Sequence, residues 1–431
     1  MKPYFREILY REPASLAARL RGESHVTLLE SVMRHEHLGR YSYLACNPSA
    51  SLRDCSPANI RAVLDGRVQD SVAGLPPFQG GLAGYISYEF GRAFEPHSKV
   101  PDFDRICPDL MLHVYDTVIS FDHMQEKAWI VSRDEKDAEA LEKLLKRKAD
   151  YSGSHVVENW ASNFLRADYE AAIQKTIDYI LAGDIFQANI TQCFKAEIPD
   201  GFSAFAFYQR LREFNPATFA AYLDYGELQI VSSSPERLLE VENRVVEARP
   251  IKGTRRRDDN EVRDAELIVE LQASRKDRAE NVMIVDLLRN DISRIAKPGT
   301  VKVPVLCGLE TYANVHHLVS VVRGDLREGI DLVDVLAAIF PGGSITGAPK
   351  IRAMEIIAEL EGQARGVYCG AIGYLGFNGA CDFNIAIRTA LFANGKAHVS
   401  GGGGITARSN PAAEYEESLT KIKRIMEAFA P

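Results

Sequence analysis

The sequence predicts an α+β fold, because strand-like and helix-like runs segregate along the chain rather than alternating one for one. Three strand-like runs with turn signals between them, VYCGAIGYLGF, CDFNIAIRTALF and KAHVSGGGGI, follow one another late in the chain. From Arg263 to Ile295, by contrast, the pattern is helical. The 431 residues, 46% apolar and 26% charged, suffice for a core without disulfides, and their composition excludes collagen-like, disordered and coiled-coil chains. At roughly 100–200 residues per domain, the length allows about two to four domains.

Residues 1–130 read as mixed strand and turn, as in the alternating run His113 to Ser120 and the glycine-punctuated GGLAGYISYEFG from Gly80. A charged helix follows over about 134–148, with Leu141, Leu144 and Leu145 on one face. The polar stretch Asp150 to Ser162 marks the main boundary, dividing an N-terminal region, 1–155, from a second region, 156–431. The second region opens with a helix from Ala167 to Ala182, closed by Gly183 at the C′ position. Strand-like IFQANITQCFKAEI comes next, then a strand pair over Leu228 to Ser233 and Leu238 to Val241. The last helix starts after Asn410-Pro411, an N-cap followed by proline at the first helical position.

A net charge of −8 argues against nucleic-acid binding but leaves room for a locally cationic pocket and an anionic small molecule. The seven cysteines are odd in number and form no C-x-x-C pair, which disfavours zinc and disulfide frameworks and fits a reducing cytoplasm. The N-terminus shows no apolar signal region. The longest apolar stretch, Gly366 to Phe377, contains four glycines and is too short to span a bilayer. The expectation is a cytoplasmic protein with no membrane contact.

Several residues carry candidate chemistry. Glu414, Glu417 and Lys421 share one face of the final helix, and Asp277 and Glu280 share a face within KDRAENVMIVDLLRND. Acidic residues in a first turn also complement the helix dipole, so neither pair is specific alone. Two such helices together can hold a divalent cation such as magnesium, which takes one or two carboxylates plus substrate oxygens and water. PGGSITGAPK fails as a phosphate loop: Lys350 comes two residues late and Ile351 replaces the Ser or Thr. An anion-binding turn and a plain turn both stay open there. Four consecutive glycines, Gly401 to Gly404, suit close approach of backbone to a ligand better than a hinge. Arg388, a cation in the alternating FNIAIRTALF, needs an anionic partner if it faces the core, or else an edge position in solvent. His316 and His317 show no metal-ligand spacing. On a strand, Lys252 would share a face with Pro250 and Thr254, with Arg249 and Arg255 opposite; taken alone it reads as a surface lysine.

In order along the chain, SSSPERLL, PIKGT, DRAENVMIVDLLRNDI, HHLVS, PGGSITGAPK, YCGAIGY, IRTA and GGGGI followed by AEYEES resemble the chorismate-utilising enzymes. That family includes the large subunits of anthranilate and aminodeoxychorismate synthases, and isochorismate and salicylate synthases. The resemblance covers nearly all of 165–431 and extends more weakly to LLES (Leu28 to Ser31) and GGLAGYISYE. It implies a large α/β sandwich of two stacked antiparallel sheets with helices outside, to which both halves contribute.

PIKGT resembles the aminodeoxychorismate synthase component I pattern, whereas anthranilate synthases carry alanine at the position of Lys252. The resemblance implies that Lys252 attacks C2 of chorismate while the C4 hydroxyl departs. Ammonia then enters at C4 and displaces the lysine, giving 4-amino-4-deoxychorismate for p-aminobenzoate and folate synthesis. With alanine, ammonia attacks C2 and the chemistry leads to anthranilate. Lowering a lysine pKa from near 10.4 to about 7 takes roughly 4–5 kcal/mol. Burial is expected to supply more of it than the other four cations from Arg249 to Arg257.

The same resemblance gives Glu236 an acid or base role beside Lys252, and His317 a part in loss of the C4 hydroxyl. Glu280 and Glu417 would ligate a magnesium ion on the ring carboxylate, with Asp277 and Glu414 close by. Thr346, Tyr368, Arg388, Gly402, Gly403, Gly404 and Lys421 match substrate-binding positions. Glu30 and Ser31 match one wall of a tryptophan pocket whose other wall, NPSPYM in anthranilate synthases, is NPATFAAY here. Ammonia is expected from a separate glutamine amidotransferase in a heterodimer. The competing readings are an anthranilate synthase and a non-catalytic chorismate- or tryptophan-binding regulator.

Overall fold

A computed structural model describes residues 1–34, 38–95, 98–312 and 315–431. Two antiparallel sheets of twelve and ten strands pack face to face, and helices cover their outer surfaces. The larger sheet runs from Tyr4–Ile8 at one edge, through Val26–Glu30, Phe219–Asp224 and Leu228–Ser234, to Thr389–Ala393, Lys396–Ile405 and Gln187–Glu197. The smaller runs from Ile251–Arg256 through Val315–Asp325, Arg237–Glu242 and Cys381–Ile385 to Gly81–Ile86 and Leu110–Tyr115. Each sheet therefore takes strands from both sides of residue 155. Between them, Tyr85 and Met111 of the smaller sheet meet Leu223 and Ile230 of the larger. Helices Ala204–Phe214 and Pro411–Glu427 cover the larger sheet, while Arg275–Ser293 and Leu332–Ile339 cover the smaller. No helix among the described residues is long and apolar enough to cross a membrane.

Local signals place the helix ends well. The Asn410 side chain accepts from the Ala413 N–H at 3.1 Å, with Pro411 in the first turn. Gly183 closes Arg166–Ala182 at φ 88°, a left-handed conformation that suits glycine. The helical run from 263 is two helices, Glu261–Ala273 and Arg275–Ser293, because Ser274 ends one and caps the other.

The strand runs differ from expectation in one systematic way: several of them change sheets midway. His113 to Ser120 splits into Leu110–Tyr115 of the smaller sheet and Thr117–Asp122 of the larger. Leu228–Ser234 and Arg237–Glu242 are not a pair but lie in different sheets. CDFNIAIRTALF breaks into Cys381–Ile385 and Thr389–Ala393, so Arg388 sits in the crossing bend, at φ 50°, rather than on a strand. Such a φ is uncommon for a side-chain-bearing residue and aims Arg388 from a turn.

The glycine run lies in Lys396–Ile405, paired with Gln187–Glu197. Its clearances are mostly toward protein. A Cβ on Gly402 would stand 2.1 Å from the Ile190 carbonyl oxygen, and one on Gly401 2.5 Å from the Ile422 side chain. Gly402→Ala therefore forces backbone apart. It is expected to cost about 3 kcal/mol or more, read as a lower denaturant midpoint; an unchanged midpoint would refute the packing argument.

Candidate active site

A cavity of about 380 Å³ opens where the two sheets and two helices meet. Four elements define it: the lysine strand Ile251–Arg256, the glycine strand Lys396–Ile405, and helices Arg275–Ser293 and Pro411–Glu427. Lys252, Glu236, His317, Asp277, Glu280, Glu417, Lys421, Tyr368, Arg388, Gly402 and Gly404 all border it. Residues from Asn189 to Ile422, far apart in sequence, thus share one space.

The lysine strand is not a regular ladder. Its register against Val315–Asp325 shifts between Ile251 and Thr254, with Gly253 at φ 86°. The bulge puts Lys252, Thr254 and Arg255 on the cavity, where simple alternation would have turned Arg255 away. Arg255 is held by Glu270 at 3.2 Å and Asp277 at 3.6 Å, and Arg249 points elsewhere, to Glu247 and Glu310.

The half-buried Lys252 donates from Nζ to the Ser344 carbonyl at 3.2 Å. Burial lowers its pKa; Glu236 and Glu280 oppose this, and Lys421 adds to it. Glu236 is buried and accepts from the Ser344 hydroxyl at 2.9 Å. Burial raises its pKa, against Lys252, Ser344 and Arg388. An amine lowered and a carboxyl raised, facing each other, can exchange one proton at little cost.

His317 is 5% exposed, with Nδ1 at 2.8 Å from the Thr254 hydroxyl. Burial, with Arg388, drops its pKa to about 4. The folded state thus favours neutral imidazole, and the stability tied to it falls as pH drops from about 6.5 toward 4. In labelled protein its ring resonances should not titrate between pH 5 and 8; a midpoint near 6.5 would refute this placement. His316 is structural: fully buried, it is bracketed by Asp264 at 2.8 Å and Thr311 at 2.9 Å.

Arg388 borders the cavity and makes no ion pair with another described residue; burial lowers its pKa and Glu236 opposes. A guanidinium so placed suits a carboxylate ligand. Tyr368 stands half-buried on the same wall. Lys421 donates to the Gly402 carbonyl at 2.9 Å and pairs with Glu417 at 2.7 Å.

The acidic residues supply only oxygen donors. Burial raises the pKa of Glu280, whose Oε1 is buried without a hydrogen bond, with the Lys276 ammonium 3.9 Å away. Burial also opposes ionisation of Glu417, but Lys421 prevails and its pKa is lowered. Glu414 is buried behind Gly403, accepts from Ser409 at 2.7 Å and has its pKa raised by burial. Among the described residues no three such groups form a ready-made metal cluster. The set fits a hard cation that takes one or two carboxylates and completes its shell from a ligand.

Two expected contacts differ. Thr346 is fully buried and its hydroxyl donates to the Gly342 carbonyl at 2.8 Å, so it does not border the cavity. Gly403 does not border the cavity; a Cβ there would stand 3.1 Å from Glu414 Oε2, 3.4 Å from Lys421 Nζ and 3.5 Å from Glu417 Oε1, on the side of the final helix. Lys350 is tied to Asp291 at 3.0 Å and the Ile339 carbonyl at 2.9 Å, leaving PGGSITGAPK without a free cation. Glu30 and Ser31 border a different cavity, of about 400 Å³ between the sheets. Glu30 is bound there by Arg212 and Tyr208, and Ser31 donates to the Tyr41 carbonyl at 2.7 Å. Sequence reasoning missed Ser344, Lys276 and Asn189, which also line the cavity. Only Ser344 had a signal, its place in PGGSITGAPK.

The family model for chorismate binding enzymes matches residues 30–427. The chain belongs to the chorismate-binding enzyme family. It is 42% identical over 351 residues to aminodeoxychorismate synthase component 1 of Salmonella typhimurium, covering 81% of this chain and 77% of that one. It is 39% identical over 459 residues to anthranilate synthase component 1 of Pseudomonas aeruginosa, covering 97% and 93%. Anthranilate synthase component I from Streptococcus pneumoniae has the same fold, with a TM-score of 0.80 at 31% identity over 91% of this chain and 94% of that one. Relatives of both reaction types thus stand at similar identity.

Proposed function

We propose that this chorismate-binding enzyme is an aminodeoxychorismate synthase component I, acting through a covalent lysine adduct. The observation that carries the reading is the Lys252 amine, lowered in pKa by burial and set in a cavity walled by oxygen donors and by Arg388, which has no ion pair among the described residues. In this reading Lys252 Nζ bonds to C2 of chorismate, the diene shifts and the C4–O bond breaks. Glu236 takes the proton lost from nitrogen and returns it to the departing hydroxide, which leaves as water. Ammonia then bonds to C4, the diene shifts back and the C2–N bond breaks, the proton lost from the ammonia nitrogen passing through Glu236 to the departing lysine amine.

His317, neutral and anchored by Thr254, donates or relays a hydrogen bond near the departing oxygen. Arg388 and Tyr368 take the enolpyruvyl carboxylate, helped by backbone at Gly402 and Gly404. Glu280 and Glu417 would hold magnesium, with Asp277 and Glu414 supporting them. Bound there, it would offset the charge of the ring carboxylate. A cytoplasmic glutamine amidotransferase would supply ammonia, and any bound tryptophan belongs in the inter-sheet cavity beside Glu30 and Ser31.

Incubation with chorismate, magnesium and ammonium, followed by chromatography, tests the reading. The expected product is 4-amino-4-deoxychorismate, with a mass adduct on the PIKGT peptide. Fluorescent anthranilate as the main product would overturn it in favour of the second relative's reaction.

A further inference from the structure

The nucleophile lies on the strand Ile251–Arg256 and its proton acceptor Glu236 in the short link between Leu228–Ser234 and Arg237–Glu242, and one residue touches both. Ser344 lies in the 3₁₀ turn Gly343–Ile345 and is 6% exposed. Its carbonyl accepts from Lys252 Nζ at 3.2 Å, and its hydroxyl donates to Glu236 Oε1 at 2.9 Å. The turn itself is fixed from behind. Thr346 donates to the Gly342 carbonyl at 2.8 Å, and Arg365 donates to the Ile345 carbonyl at 3.0 Å. A Cβ on Gly343 would meet Leu287 Cδ2 at 2.4 Å, so the turn is pressed against the helix that carries Glu280.

We infer that Ser344 is a positioning residue for the proposed reaction, a two-sided clamp that sets the distance and proton partition between Lys252 and Glu236. The inference rests on the adduct reading above. Its physical content is asymmetric. A neutral amine giving one N–H to the Ser344 carbonyl has its lone pair directed away from that bond, which limits the directions of attack. The hydroxyl, as a donor to the carboxylate, favours the ionised form of Glu236, the form that can accept the lysine proton. Other charges also face the pair: Arg388 from the crossing bend reaches Glu236, and Glu280, Glu417 and Lys421 from the two helices reach Lys252. The Cys369 thiol also faces Glu236. Among the described residues, Ser344 alone hydrogen-bonds both members.

Ser344→Ala keeps the carbonyl and removes the hydroxyl. Expected results are a roughly 10- to 100-fold slower adduct formation, since a positioned acid or base contributes about 10²–10⁴ in all. The chorismate KM should stay within about threefold, because Arg388 and Tyr368 are untouched. The acid limb of kcat/KM should move up by roughly half to one pH unit as Glu236 loses a donor. Ser344→Thr, which restores a hydroxyl, should recover both rate and pH limb. Infrared spectra of ¹³C-glutamate-labelled protein report Glu236 protonation without chorismate, so that readout survives even if the adduct reading fails. Absence of an adduct in the unaltered enzyme sinks the reading. An adduct there, with S344A matching it in rate, pH limb and Glu236 protonation, sinks the clamp instead.

Discussion

Lys252→Ala should abolish formation of 4-amino-4-deoxychorismate, with a loss on the order of 10³-fold or more, while chorismate still binds within about threefold. The large factor follows from the role: without the amine there is no C2 adduct through which ammonia is directed to C4. Binding persists because Arg388, Tyr368 and the glycine-strand backbone surround the cavity independently of this side chain. Lys252→Arg is the sharper control. A guanidinium keeps the positive charge but does not deprotonate at working pH, so it should be as inactive as alanine if nucleophilicity matters. Substantial activity in the arginine variant would mean that the cation, not the amine, is what the reaction uses. Residual turnover in the alanine variant should appear as anthranilate, read by its fluorescence, since ammonia then meets C2 unblocked. The checks are single-turnover mass spectrometry for the adduct and equilibrium titration for binding.

The features that sequence reasoning read well are those fixed within a few residues. Asn410 before Pro411, Gly183 after Ala182 and the three-residue spacing of Asp277 and Glu280 are local chemistry, and all appear as written. What escaped it is set by partners far away. Alternation within CDFNIAIRTALF is the same whether its two halves share a sheet or not, so the crossing at Arg388 leaves no periodic trace. The bulge at Gly253 likewise overturns the face assignment of Arg255, because one unpaired residue resets every side chain beyond it. The glycine run carried a real signal with a mixed cause: Gly402 makes room for the neighbouring strand, and only part of the run faces the cavity. Lys252 was selected by resemblance, not by pattern. The clamp residue Ser344 can be named only once the lysine strand and the link that carries Glu236 are seen to converge on it.

The largest expected effect on stability lies behind the cavity rather than in it. Arg365 is 7% exposed and its guanidinium reaches Glu361 at 2.5 and 2.9 Å, the Ile345 carbonyl at 3.0 Å and the Asn189 carbonyl at 2.6 Å. It also lies 4.6 Å from the centre of the Tyr88 ring. Glu361 is 6% exposed and accepts from the Thr191 N–H at 2.8 Å. Arg365→Ala would strand that carboxylate and two carbonyls without their cation. Removing one partner of a buried pair costs about 3–5 kcal/mol, whereas removing both costs much less, since no uncompensated charge remains. The single variant should therefore lose roughly that amount, seen as a Tm lower by several degrees. Arg365→Met combined with Glu361→Leu should recover at least half of it. If the double change is as unstable as the sum of its parts, the buried charge is not what matters. Since Ile345 and Asn189 both line the cavity, the recovered double variant should remain slow in adduct formation: it restores the core but no longer ties those two segments together.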